Sequence, residues 1–267
     1  MLNLGCGNRF HPAWVNVDFS ARPPGVIGYN LRRGIPFGDD SFQIVYHSHL
    51  LEHFHKDAAE RFLRECYRVL MPGGVMRVAV PDLRKIAELY LDRLDEALRG
   101  EPGAEADYDW TMLELYDQVV RRESGGQMKH YLGKAEIPNK AFIMERMGWG
   151  KPADNGIMWG AARPVMRQPR WRGFLRPSGF VERLRRLLLG DDYQVLQEGR
   201  FRRSGEVHEW MYDEFSLGRL MRSVGLEDVR RCGASESRIP DWAGFLLDTN
   251  ADGSVRKPDS LFMEGRK

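Results

Sequence analysis

Cysteine is scarce in this chain. Cys6, Cys66 and Cys232 are the whole set, odd in number, far apart and without a CxxC pair. Such a set builds no disulfide framework, and a reducing compartment is the default. No apolar run approaches the roughly 20 residues of a membrane span. The N-terminus lacks the basic segment and apolar run of a secretory signal. A cytoplasmic protein without transmembrane segments is therefore expected. Net charge is also small, +2, and by itself predicts no polyanion partner. Internal repeats and low-complexity tracts are absent. What remains is ordinary globular composition, 42% hydrophobic and 29% charged over 267 residues. That length suits one large domain, or one domain with a big insertion.

The first 83 residues alternate strand and helix signals. "MLNLG", "WVNVD", "GVIGYNL", "SFQIVY" and "GVMRVAV" read as five strands. Their continuous apolar character predicts a parallel sheet covered on both faces. Between the last two lies "DAAERFLRECYRVLMPGG". Asp57 and Glu60 there have the spacing of a capping box, and Pro72-Gly73-Gly74 is the expected helix stop. A strand, helix and strand in this order imply a right-handed crossover. Leu83, Ile86, Ala87, Tyr90, Leu94, Ala97 and Leu98 form the apolar stripe of a second helix, which Gly100 ends. Residues 101–205 lose the alternation and read as an insertion with a few helices. It is divided by charge: residues 84–124 carry 11 acids against 6 bases, and residues 163–203 carry 11 arginines against 4 acids. The sheet pattern returns near residue 208, with helix, glycine stop and strand in "SLGRLMRSVGLEDVRRC" and a last strand in "DSLFMEGRK".

Two features near the N-terminus point to a nucleoside. "LNLGCGN" is a strand running into a G-x-G turn, where glycine lets a ligand approach the backbone. Phe10 holds the place of the third glycine of a dinucleotide fingerprint. Asp18, ending the second strand, follows Gly7 by 11 residues, against roughly 20 in that fingerprint. The short gap leaves no room for a long helix to cradle a pyrophosphate. A carboxylate at that strand end still suits a ribose diol.

These residues, with "IPFGDDSFQIVYHSHLLEHF", "RVLMPGGVMRVAVPDL", "HEWMYDEFSLGRLMRSVGL" and "KPDSLFMEGRK", resemble class I S-adenosylmethionine-dependent methyltransferases close to the methyltransferase type 11 group. The resemblance is particularly to a branch found beside polysaccharide-synthesis enzymes. It covers residues 1–83 and 206–267, a little over half the chain. It implies a Rossmann-like α/β core of seven strands with the last reversed, and a lid of residues 84–205 inserted after the fifth strand. It implies cofactor contacts from Gly5, Gly7 and Asp18, from Asn30 and Leu31 after the third strand, and from His47 after the fourth. Two departures stand out: the first helix is nearly absent, and Asn30 stands where related enzymes often carry Asp. The implied reaction is methyl transfer from S-adenosylmethionine, leaving S-adenosylhomocysteine, to a small polar acceptor such as a sugar or glycan hydroxyl. Two other readings stay open: an RNA or nucleotide methyltransferase, and a non-catalytic binding protein that keeps the fold. Oligomeric state is not legible.

"HSHLLEHFH" holds four of the seven histidines. His49, Glu52 and His53 within it follow the H-x-x-E-H order of one class of zinc peptidase. There the run lies within a long helix, whereas here it follows a strand end and shows no third ligand, so no metal is expected. "DTNADGSVRKPD" imitates a calcium loop but carries Asp259 in place of the final Glu and Pro258 beside it; a polar hairpin is expected. Arg167, Arg170, Arg172 and Arg176, with Trp171 and Phe174 interleaved, are expected to form an anion-facing lip or a solvated face. "FVERLRRLLLG" is expected as a basic amphipathic helix facing the core. For the acceptor proton, His49 is the first candidate base and His208 the second. Asp82 is the third, though its position also suits the cap of the following helix.

Overall fold

The computed structural model describes residues 1–148 and 185–267. Seven strands form one sheet in the order β3-β2-β1-β4-β5-β7-β6. They are β1 Leu2–Leu4, β2 Val15–Asp18, β3 Ile27–Gly28, β4 Phe42–Ser48, β5 Leu70–Pro81, β6 Glu227–Cys232 and β7 Ser260–Arg266. The first five pair in parallel, and β7 lies antiparallel between β5 and β6. This is the Rossmann-like sheet with a reversed last strand expected from the sequence. Residues 5–14, between β1 and β2, hold turns and no helix.

Helix α1 (Lys56–Val69) buries Ala59, Phe62, Leu63, Cys66 and Val69, one stripe at helical spacing, against the sheet. Two expectations about its ends fail. Asp57 sits inside the first turn, and His55, the N-cap residue, makes no side-chain cap bond. The helix also ends before Pro72, because Leu70 turns directly into extended backbone and begins β5. Gly73 and Gly74 therefore belong to the strand. Gly73 N–H donates to Lys267 O at 2.7 Å and Lys267 N–H to Gly74 O at 3.1 Å. A Cβ on Gly74 would stand 2.8 Å from Gln43 O, so only glycine lets β4 and β5 approach this closely.

Helix α2 (Leu83–Leu98) starts at Asp82, whose side chain accepts from Arg84 N–H and Lys85 N–H. Gly100 follows its end in the left-handed conformation, at φ +69°. The insertion then folds around a small core of its own, Trp110, Tyr131 and Ile143. These come from α3 (Ala104–Met112) and the short helices Gly126–Leu132 and Lys140–Arg146. Of the basic stretch "FVERLRRLLLG", the described part leaves Leu187 and Leu188 82% and 73% exposed, so it does not face the core as expected. The arginine run over residues 167–176 lies outside the described residues. No helix of the described residues is long and apolar enough to cross a membrane.

The two faces of the sheet are covered differently. α1 and the helix Glu214–Ser223 cover one, over Leu2, Leu4, Val45, Val78 and Leu261. A long connection between β6 and β7 covers the other, where Trp14, Tyr46, Trp242 and Leu247 pack together. Arg77 of β5 anchors that connection. It is fully buried and donates to Asp248 Oδ2 and Glu264 Oε1, each at 2.8 Å. It also donates to the carbonyls of Gly233, Ala234 and Glu236, with Trp242 stacked 4.5 Å from its guanidinium carbon. The segment resembling a calcium loop is the expected hairpin, closed by the Thr249–Val255 bridge. Its Asp248 serves Arg77 and accepts from the Tyr46 hydroxyl at 2.5 Å.

Removing the Arg77 guanidinium leaves two buried carboxylates without their counter-charge. Arg77→Met is expected to destabilise the protein by ~3–5 kcal/mol, read as the shift in urea unfolding.

Candidate functional site

The order of the strands determines where a ligand fits. From β1 the chain winds to one side through β2 and β3; from β4 it winds to the other through β5. The crevice beyond the carboxyl ends of β1 and β4 is the switch point where open α/β sheets hold ligands. β7 is antiparallel, so its first residue, Ser260, lies at the same edge.

The β1 side supplies the glycine turn. Gly5 and Gly7 adopt φ +64° and +53°, conformations that L side chains rarely take. A Cβ at Gly7 would meet open space, while one at Gly5 would press on Leu50 at 2.9 Å. The turn is tied to β2, with Gly7 N–H donating to Asp18 Oδ2 at 2.9 Å. Asp18 Oδ1 accepts from Ser20 N–H at 3.0 Å. An ionised carboxylate has about four acceptor positions, so Asp18 retains capacity for a diol. Arg22 donates to the Gly7 carbonyl and closes the turn. Asn30 caps the turn Leu31–Arg33, and Leu31 points into the core. An open backbone at Gly7, beside a half-buried acid with spare lone pairs, fits a ribose better than a phosphate.

The predicted residues of the β4 side diverge. His47 is wholly buried against Phe62, and neither ring nitrogen has a hydrogen-bond partner. Burial holds it neutral, with its pKa lowered to about 3. Its side chain presents no surface to the crevice. His49 does. It lies in the left-handed region at φ +50°, where the chain leaves the strand, and only 12% of its side chain is exposed. Its Nε2 is 2.8 Å from Ser260 Oγ, and its Nδ1 is 3.3 Å from Glu52 Oε1. Burial, then the cations Lys257 and Arg256, keep this ring neutral.

A pocket of about 150 Å³ opens beside His49. The sheet edge contributes His49, Asp82, Lys257 and Asp259, and the insertion contributes Glu114, Gln118, Arg146 and Met147. His208 and Met211 enter where the chain returns from the insertion. The acidic first half of the insertion is thus partly consumed internally: Glu114 accepts from Arg146 at 2.6 Å and from Trp110 Nε1 at 2.5 Å. Asp82 lines the pocket, but one of its oxygens caps α2 and the other lies 3.4 Å from Arg231. Lys257 was not singled out in the sequence. Burial lowers its pKa to about 8, Arg256 adding to the effect, and burial raises that of nearby Glu52 to about 7. The only sequence signal for Lys257 was its place just before the last strand. The pocket joins residues more than two hundred positions apart.

Residues 20–78 match the family model described as a methyltransferase domain. No curated protein matches the chain. Among solved structures, an S-adenosylmethionine-dependent methyltransferase from Mesorhizobium loti is 19% identical over 30% of this chain and 46% of its own, at a TM-score of 0.24. The 1,6-didemethyltoxoflavin N1-methyltransferase of Burkholderia thailandensis, bound to its substrate and S-adenosylhomocysteine, is 20% identical over 30% of this chain and 44% of its own, at 0.26. A methyltransferase from Thermotoga maritima, described as a possible histamine N-methyltransferase, is 14% identical over 100% of this chain and 81% of its own, at 0.39. The chain thus spans less than half the length of the first two. Overlays this loose place no residue of the site.

The Gly5 turn has a direct consequence for stability. Gly5→Ala combines positive φ with pressure on Leu50 and is expected to cost ~1–3 kcal/mol, measured by thermal or urea unfolding.

Proposed function

We propose that the protein is an S-adenosylmethionine-dependent methyltransferase acting on a small polar acceptor, a hydroxyl of a sugar or glycan. The observation that carries this reading is the crevice itself. A G-x-G turn with open backbone is bonded to an acid-ended second strand, and a polar pocket lies beyond the neighbouring strands. The methyltransferase-domain match covers β3, β4, α1 and most of β5. The mixed lining of Asp82, Asp259, Gln118, Arg146 and Lys257 supports an acceptor rich in hydroxyls.

Bound in the crevice, S-adenosylmethionine supplies a methyl group on a sulfonium sulfur, open to in-line attack. Asp18 accepts from the ribose hydroxyls, and the backbone around Gly5 and Gly7 lies against the nucleoside. The acceptor oxygen must stand about 3 Å from the methyl carbon, opposite sulfur, with water excluded. The helices of the insertion supply the wall that excludes it. As the new O–C bond forms, the acceptor proton must leave, and in this reading His49, which lines the pocket, takes it. Its Nε2 is 2.8 Å from Ser260 Oγ, and its Nδ1 faces Glu52 Oε1 across 3.3 Å. His208 lines the same pocket. Asp82 is engaged as a cap and is the weakest of the three candidates. The net change is transfer of one methyl to oxygen and one proton to the histidine, leaving a neutral thioether.

Two measurements test this. Calorimetry with S-adenosylhomocysteine should show binding to the wild type. Asp18→Ala should weaken it by ~1.5–3 kcal/mol, roughly 10–150-fold; unchanged affinity rejects the assignment of Asp18. A labelled-methyl screen across free sugars, nucleotide sugars and oligosaccharides should find an acceptor. With it, His49→Gln should slow single-turnover transfer by at least ~100-fold while cofactor affinity holds. A rate within a few-fold of wild type removes His49 as the base.

A further inference from the structure

Glu52 is the least explained side chain among the described residues. It is fully buried, and neither carboxylate oxygen has a hydrogen-bond partner. His49 Nδ1 is near Oε1 but not in hydrogen-bonding alignment. A buried carboxylate is ordinarily satisfied by donors, a counter-charge or an ion. Lys257 acts on Glu52 through space but forms no ion pair with it within 4 Å.

Two imidazoles share that space. His53 follows Glu52 in the turn Leu51–His53, and His208 arrives from the returning chain. Their rings stand 4.8 Å apart, edge to face. The return is stitched to the turn by backbone bonds: Glu209 N–H and Trp210 N–H both donate to Glu52 O, at 2.7 and 3.2 Å. His208 N–H donates to Gln118 O at 2.9 Å. His53 Nδ1 lies 3.1 Å from Val207 O. With the proton on Nδ1 donated there, Nε2 keeps its lone pair, the second-sphere arrangement typical of metal-bound histidine. One ligand atom from each of the three residues falls within 4.8 Å of the others. Ligands about 2.1 Å from a tetrahedral zinc stand about 3.4 Å apart. Small side-chain rotations close that difference.

We propose that Glu52, His53 and His208 form a binding site for a divalent transition-metal ion, zinc foremost. The set is not the H-x-x-E-H triad itself, for which no metal is expected. The histidine that completes the set is His208, 155 positions beyond His53, and it replaces His49 as a ligand. Two imidazoles and one carboxylate suit zinc, and also iron or cobalt, over magnesium or calcium. Three protein ligands leave a fourth position open. Of the three, His208 lines the pocket assigned to the acceptor. The surrounding field is mixed. Lys257 is the cationic neighbour, while Arg121 is held by Asp117 and Glu206, and Arg32 by Glu209. Asp259 offsets Lys257 from the same pocket wall.

The test uses the untagged full chain, stripped with chelator and then offered zinc, cobalt or magnesium alone. Zinc is expected to remain at about one equivalent per chain after dialysis. Cobalt is expected to give the visible absorption of a low-symmetry nitrogen and oxygen site. His208→Ala should weaken zinc binding by at least ~10-fold, and His130→Ala, an exposed histidine in the insertion, should leave it unchanged. The cobalt spectrum of the wild type stands even where a variant folds poorly. The proposal is overturned if the wild type keeps no zinc above its chelated blank, if it binds magnesium in preference, or if a folded His208→Ala binds zinc as tightly as His130→Ala. None of these readouts depends on methyl transfer.

Discussion

The pairing of the buried Arg77 guanidinium is the interaction on which the strand-end edge of this sheet depends. β5 lies inside the sheet, and among the described residues one of its faces is covered by no α-helix. The connection between β6 and β7 does that work, and it contains little regular structure of its own. Arg77 supplies what a ladder would otherwise supply: two ion pairs, donors to three carbonyls and a stacking surface for Trp242. A charge buried so completely is tolerated only with such full pairing. Because Asp248 is one of its partners, the residues that follow are held in register. Arg256 donates to Leu247 O, and the chain then delivers Lys257, Asp259 and Ser260 to the strand ends.

From that anchoring follows the division of labour at the edge. The half built on β1 and β2 is made of backbone and one acid, open at Gly7. The half built on β4, β5 and β7 is made of histidines, a lysine and carboxylates, half-buried and close together. The insertion, with its separate core around Trp110, walls the second half and leaves the glycine turn to the first. Between the two lies the space at the strand ends, bordered on one side by open backbone and on the other by titratable groups.

The interior of the second half carries unusual cost. His47 has two unpartnered ring nitrogens in the core, and Glu52 two unpartnered oxygens. His49 holds a left-handed backbone conformation without being glycine. Strain and unsatisfied polarity concentrated over six residues are not what packing alone selects. Local rules of sequence and structure most often fail where function has overridden them.

Much of the fold was legible because its causes are local. Apolar runs, the stripe of α1, the glycines after strands and Asp82 at a cap each record a period or a backbone conformation that neighbouring residues determine. The exact helix ends were not legible: a strand partner 194 positions later, Lys267, drew Gly73 and Gly74 into β5. The glycine turn and its tie to Asp18 were legible too, since Gly5, Gly7 and Asp18 lie close in sequence and meet through adjacent parallel strands. The rest of the site was not. Lys257 and Ser260 reach His49 only because β7 runs backwards, and His208 reaches Glu52 and His53 only because the insertion closes back onto the strand ends. The sequence by itself determined which segments are strands, and it brought forward the glycine turn, Asp18 and the histidine run as candidates. Tertiary structure alone decided which of those residues share a site, because contact between side chains far apart in sequence depends on strand order and loop closure, which leave no local pattern.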